Sequence, residues 1–176
     1  MKTDIILSGV GGQGILSIAA VIGDAAVNNG LYIKQAEVHG MSQRGGDVQS
    51  NLRISDRPIC SDLIALGSAD VIISLEPMEA LRYLPYLSKE GWIITSSAPF
   101  VNIPNYPAEE SLNAELAKLP HVISLDVNAL AKEHNRPNCH NVIPLGSPPK
   151  ASTLIGDPYL QNTNPPPPTH QDDLAN

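Results

Sequence analysis

Hydrophobic positions in this chain come in short runs, and their spacing changes from one run to the next. Residues 4–8 (Asp-Ile-Ile-Leu-Ser) are an apolar run that stops at glycine, the pattern of a buried strand. A tight loop, Gly9-Val10-Gly11-Gly12-Gln13-Gly14, follows. From residue 15 to 28 apolar side chains occupy nearly every face, which predicts a helix buried on most sides. Asn29-Gly30 ends it with residues suited to a left-handed cap, and residues 31–36 read as a second strand. Strand, helix and strand in that order predict a βαβ unit with parallel pairing.

Residues 37–46 are polar and glycine-bearing and read as a loop. After it Val48, Ser50, Leu52 and Ile54 alternate with Gln49, Asn51 and Arg53, the period-two pattern of an edge strand with one wetter face. Asp56-Arg57-Pro58 turns the chain. Residues 71–75 predict a buried strand, and Glu76-Pro77 opens a helix that carries Met78, Leu81, Leu84 and Leu87 until Pro85 bends or ends it. Strands are predicted at 92–95 and 122–125, with helices at 107–119 and 127–133. This alternation predicts an α/β fold: a Rossmann-like, doubly wound, mostly parallel sheet with helices on both faces. Beyond Gly146 the periodicity is lost among prolines, with four in succession at 165–168, so residues 147–176 read as a disordered tail on a 1–146 domain.

Composition narrows the function classes. A chain of 176 residues, 42% hydrophobic, suits one domain with a sizeable core. A net charge of −7 and a pI near 5.1 argue against nucleic acid or an anionic membrane as partner. The longest apolar-rich stretch, residues 14–27, is too short to span a bilayer and contains Asp24. No signal-peptide pattern precedes the first strand, and the two cysteines, Cys60 and Cys139, read as structural thiols, so a cytoplasmic setting is expected.

Two segments carry candidate chemistry. Gly9, Gly11 and Gly14 satisfy G-x-G-x-x-G between a strand and a helix, where backbone N–H groups and the positive end of the helix dipole receive a phosphate. Gly12 and Gln13 complete that loop, and Glu37 stands about where a dinucleotide site needs an acid for the ribose, ~20 residues on. Close packing of helix on sheet is the competing explanation of the same glycines. The second segment, Glu37-Val-His39-Gly-Met-Ser42-Gln43-Arg44-Gly45-Gly46, gathers a carboxylate, an imidazole, a hydroxyl, an amide and a guanidinium. Arg44 is suited to clamp a phosphate or carboxylate, and His39 to titrate near neutrality; a loop bonded to itself, with Arg44 on Glu37, accounts for it equally well. No catalytic residue and no metal ligand can be assigned.

Taken with Glu76-Pro-Met-Glu-Ala-Leu-Arg82, these two segments resemble the gamma-type domain of the 2-oxoacid:ferredoxin oxidoreductases, most closely the small subunits of their indolepyruvate type, over residues 3–146. The resemblance implies a part in the oxidative decarboxylation of a 2-oxoacid, an aryl pyruvate, with coenzyme A as co-substrate and ferredoxin as electron acceptor. It further implies a large partner subunit bearing thiamine diphosphate, Mg²⁺ and iron–sulfur clusters, and a hetero-oligomer that meets ferredoxin as a complex. Two isolated cysteines cannot ligate a cluster, so no such cofactor is expected on this chain alone. The glycine loop and Arg44 are the expected receivers of coenzyme A. A free-standing NAD-type dehydrogenase and a nucleotide sensor are the rival readings.

Overall fold

The computed structural model describes residues 1–39, 45–127 and 129, with residue 39 described in its backbone alone. The predicted tail, and the 127–133 helix beyond Val127 and Ala129, lie outside the described residues. Six strands form one sheet: β1 (Lys2–Val10), β2 (Tyr32–His39), β3 (Asp47–Ser55), β4 (Ala69–Ser74), β5 (Leu87–Ser96) and β6 (Val122–Leu125), in the order β2-β3-β1-β4-β5-β6. β1, β4, β5 and β6 pair in parallel, and β3 runs antiparallel to both of its neighbours.

The buried run at the start of the chain is central for a physical reason. Ile5, Ile6 and Leu7 are all fully buried, Ile5 and Leu7 on one face of the sheet and Ile6 on the other. At about 1.5–3 kcal/mol for each large aliphatic side chain removed from water, such a strand belongs where both faces are covered. Helix α1 (Ile15–Asn28) covers one face, burying Ile15, Ile18, Ala19, Ile22, Ala25 and Ala26 at helical spacing. Helix α2 (Pro77–Arg82) covers the other with Ala80 and Tyr83, and α3 (Glu109–Leu116) lies beside it with Leu112 and Leu116 buried. The doubly wound class is therefore observed, with α1 and α2 on opposite faces.

Several local expectations change. α1 keeps the predicted bounds but buries one stripe, because among the described residues it packs chiefly on the sheet; Leu16 and Val27 stand 46% and 58% exposed. β1 and β2 point the same way, as a βαβ unit requires, yet they are not neighbours, since β3 inserts between them and bonds both. β3 is therefore interior rather than an edge. Its polar positions are satisfied by protein: Asn51 Oδ1 accepts from Ile64 N–H at 3.3 Å, and Arg53 donates to the carbonyls of Ser61 and Leu63 at 3.0 and 2.9 Å. Alternation here reports a polar lining under the 56–68 segment, not contact with water. Residues 37–39, assigned to a loop, extend β2 opposite Ser50, Gln49 and Val48. Pro85 ends α2 as expected, but a 3₁₀ turn at Leu84–Tyr86 follows and Leu87 already belongs to β5. Among the described residues no helix is long and apolar enough to cross a membrane.

One buried ion pair staples β1 to β3. Arg53 Nε and Nη2 reach both carboxylate oxygens of Asp4 at 2.8 and 3.0 Å, with the Asp4 side chain 1% exposed. Lys2 Nζ approaches the same carboxylate at 2.8 Å from a mostly exposed position. Removing the guanidinium leaves a buried charge with a weak partner. Arg53→Met should cost about 3–5 kcal/mol, read as a shift in the urea midpoint at pH 7.

Candidate ligand cleft at the strand ends

β1 leads through α1 to one side of the sheet, and β4 leads through α2 to the other. The loops after β1 and β4 therefore part, and an open α/β sheet has its crevice at such a switch point. A cleft of ≈ 310 Å³ lies there. Gly11, Gly12 and Gln13 line it from the β1 end and Leu75 from the β4 end. Ser96, Ala98, Pro99 and Phe100 come from the β5 end, and Val127 follows β6.

The glycines of the first loop have different duties. A side chain at Gly9 would meet Ile15 Cδ1 at 2.8 Å and Gln13 Oε1 at 2.9 Å, so this position lets the loop close onto α1. Gly12 and Gly14 hold φ of +100° and +84°, in the region that favours glycine. Gly14 is the N-cap of α1. No side chain caps that end and no acid stands in its first turn, so its dipole meets the cleft without side-chain compensation. Gln13 spends its amide inside the protein: Oε1 accepts from Val10 N–H at 2.7 Å and Nε2 donates to the Leu75 carbonyl at 3.3 Å. It ties the β1 and β4 loops together and sets the cleft's width.

Of the second segment, the structure brings Gly45 and Gly46 to the glycine loop. Gly11 N–H donates to Gly46 O at 2.8 Å, and Gly45 N–H donates to Gly11 O at 3.5 Å. Glu37 is not brought there. It sits on β2, two strands from β1, where its carboxylate accepts from Gln35 Nε2 at 2.8 Å, so it is not among the described residues that line the cleft. His39 ends β2 opposite Val48; its side chain, with Ser42, Gln43 and Arg44, lies outside the described residues.

Sequence reasoning missed the far wall. Glu76 is fully buried and holds two segments at once. Its Oε2 accepts from Glu79 N–H at 2.8 Å, capping α2, while Oε1 accepts from Phe100 N–H at 3.4 Å and from the Tyr106 hydroxyl. Burial, and then the bond to Glu76, push the Tyr106 phenol above its usual range. Asn102 Nδ2 donates to Gly45 O at 2.8 Å, joining this wall to the second segment. The available signal was positional: the Ser-Ala-Pro-Phe stretch follows a parallel strand, where such sheets carry their binding loops. Among the described residues no group of three or more His, Cys, Asp or Glu is placed to hold a metal ion, and Cys60 is exposed.

The chain was compared with known proteins. A family model described as pyruvate ferredoxin/flavodoxin oxidoreductase matches residues 4–161. Indolepyruvate oxidoreductase subunit IorB of Archaeoglobus fulgidus is 37% identical over 153 residues, 83% of this chain and 75% of that protein. Among solved structures, the gamma subunit of a keto/oxoacid ferredoxin oxidoreductase from Geobacter sulfurreducens superposes with a TM-score of 0.60 at 21% identity, covering 92% of this chain and 87% of that one. A 2-oxoglutarate:ferredoxin oxidoreductase from Magnetococcus marinus, solved with 2-oxoglutarate, coenzyme A and succinyl-CoA bound, also gives 0.60 at 17% identity, covering 93% of this chain and 28% of that one. At these identities the structural likeness is one of fold.

Beside the cleft wall, the Glu79 carboxyl is raised from its ordinary value of 4.5, chiefly by burial and against the pull of Arg82 at 2.9 Å. The folded protein thus holds this proton more tightly than the unfolded chain. The resulting contribution to stability is full below pH 4.5 and is lost as pH rises through the raised value. The melting temperature of Glu79→Gln, relative to wild type, should move in the variant's favour between about pH 4 and pH 7; scanning calorimetry across that window checks the sign.

Proposed function

Because the chain belongs to the pyruvate ferredoxin/flavodoxin oxidoreductase family, we propose that it works in the cytoplasm as the small subunit of a 2-oxoacid:ferredoxin oxidoreductase of the indolepyruvate type. The enzyme oxidatively decarboxylates an aryl pyruvate with coenzyme A, giving acyl-CoA, carbon dioxide and reduced ferredoxin. The observation that carries this reading is the 37% identity to an indolepyruvate oxidoreductase subunit over 83% of the chain. The donor set here does not suit the family's redox and decarboxylation cofactors. A four-thiolate cluster cannot be built from Cys60 and Cys139, and among the described residues that line the cleft there is no His, Cys, Asp or Glu. Thiamine diphosphate with its Mg²⁺ and the iron–sulfur clusters therefore belong to a large partner subunit, and no step of the reaction runs through groups held by this chain.

What this chain supplies is reception of the acyl acceptor. Coenzyme A has anionic phosphates at one end and a long, mostly apolar arm ending in the thiol. The uncapped N-terminus of α1 and the backbone N–H of Gly12 suit the anionic end. Leu75, Pro99, Phe100 and Val127 offer the arm an apolar wall. Arg44, two residues before the Gly46 carbonyl that Gly11 engages, adds a cation from the second segment. The chain's part in turnover is thus to bind and orient the acceptor while the partner holds the acyl group. A dinucleotide-dependent dehydrogenase gains nothing from the geometry, since Glu37 stands two strands from β1, and nothing in the comparisons favours a sensor.

Capture of the tagged chain from its native cytoplasm should recover a large subunit bearing thiamine diphosphate and iron–sulfur clusters, with viologen reduction dependent on indolepyruvate and coenzyme A. Recovery of the chain alone and inactive would overturn the subunit reading. In the active complex, Arg44→Ala should raise KM for coenzyme A by roughly tenfold or more, as loss of a charge-assisted hydrogen bond implies. An unchanged KM with assembly intact would remove Arg44 from the site.

A further inference from the structure

The segment after β5, part of which lines the cleft, is held at three points. Phe100 N–H and the Tyr106 hydroxyl both donate to Oε1 of Glu76, which is fully buried and has no freedom to follow them. Between these two anchors Asn102 reaches across and donates from Nδ2 to Gly45 O at 2.8 Å. Gly45 N–H in turn donates to Gly11 O at 3.5 Å, and Gly11 N–H donates to Gly46 O at 2.8 Å. A chain of hydrogen bonds thus runs from Glu76 through the 97–106 segment and Gly45 to Gly11, crossing from the β5 end of the cleft to the β1 end. Phe100, one of the two anchors, also lines the cleft.

Among the described residues, the bond from Nδ2 to Gly45 O is the hydrogen bond that the Asn102 side chain makes, and its Oδ1 has no partner among them. Gly45 holds φ of +80°, and a Cβ there would meet nothing within 4 Å, so the turn is open and takes its placement from its hydrogen bonds. Of those bonds, the one from Asn102 is the only side-chain contact among the described residues that reaches Gly45 from the far wall.

We infer that Asn102 is a positioning residue for ligand binding: through Gly45 it fixes the glycine loop against the opposite wall of the cleft, and so sets the geometry in which an anionic acyl acceptor is received. The inference rests on the reading that this cleft receives coenzyme A. Asn102 touches no reacting atom, so it acts on binding and leaves the chemical step to the partner subunit.

The near-isosteric Asn102→Leu separates this role from a structural one. It removes the bond to Gly45 and the unsatisfied Oδ1 together, so the two effects on stability offset and the melting temperature should stay within about 2–4 °C of wild type. In the purified complex KM for coenzyme A should rise roughly tenfold with kcat unchanged, since the interaction serves binding alone. Hydrogen exchange of peptides covering residues 9–14 and 45–47, measured on the small subunit whether or not the variant assembles, should accelerate. Unchanged exchange would overturn the inference by showing that Asn102 does not fix these loops. Accelerated exchange with unchanged KM would overturn it by showing that the fixed geometry is not used for the acceptor. A wild-type complex whose rate does not depend on coenzyme A would instead strike the function reading itself, and the exchange result would still decide whether Asn102 holds the loops.

Discussion

The cleft depends on the antiparallel ladder between β1 and β3. Nine residues of each strand pair without a break, from Lys2 opposite Ser55 to Val10 opposite Asp47. That register leaves Gly11 and Gly46 as the next residues on either side, and they bond at 2.8 Å. A slip by one residue would turn every side chain to the other face of the sheet and would part the two glycine segments. The register is held by side chains that tolerate no such slip: Leu52 packs with Ile5 in the α1 layer, and Arg53 clamps Asp4 with both carboxylate oxygens. The antiparallel strand that breaks the ordinary parallel order is therefore what brings the second polar segment to the first.

A second constraint acts from the other side of the sheet. The N-cap of α2 must be satisfied, as every helix start must, and Glu76 does this with one carboxylate oxygen. Its other oxygen takes the backbone of Phe100 and the hydroxyl of Tyr106. A single buried carboxylate thus fixes both a helix terminus and the wall of the cleft. With Gln13 bridging Val10 and Leu75, the loops after β1, β4 and β5 form one hydrogen-bonded rim. Such a rim has its own backbone groups bonded internally and leaves little to reorganise around the cleft.

Much of this architecture was legible from residue spacing. Helix α1 was bounded at Ile15 and Asn28, and β6 at Val122 and Leu125, because apolar period and flanking glycine or proline act locally. The family was legible too, since the residues that carry the resemblance, 37–46 and 76–82, are contiguous in the chain. The candidate site was half legible. Gly11, Gly12 and Gln13 were found because the glycine pattern is contiguous and sits between a strand and a helix. Glu37 was misplaced because its distance along the chain from Gly14 matches the usual acid, whereas β3 intervenes in space. Asn102 and Glu76 went unassigned as site residues because each acts on a segment at least 24 positions away.

The division follows from the range of the forces. Hydrophobic periodicity, capping, proline and glycine act within a few residues, so element type, the α/β class and the glycine-rich strand-to-helix turn could be read from the chain directly. Strand order and direction are settled by which strand finds the best partner for its open edge and its polar side chains. Those partners lie tens of residues off and carry no local mark. The alternation in β3 reads the same for an edge strand in water as for an interior strand whose Asn51 and Arg53 bond to a covering loop. Only the folded arrangement chose between them, and with that choice it decided which residues meet at the cleft.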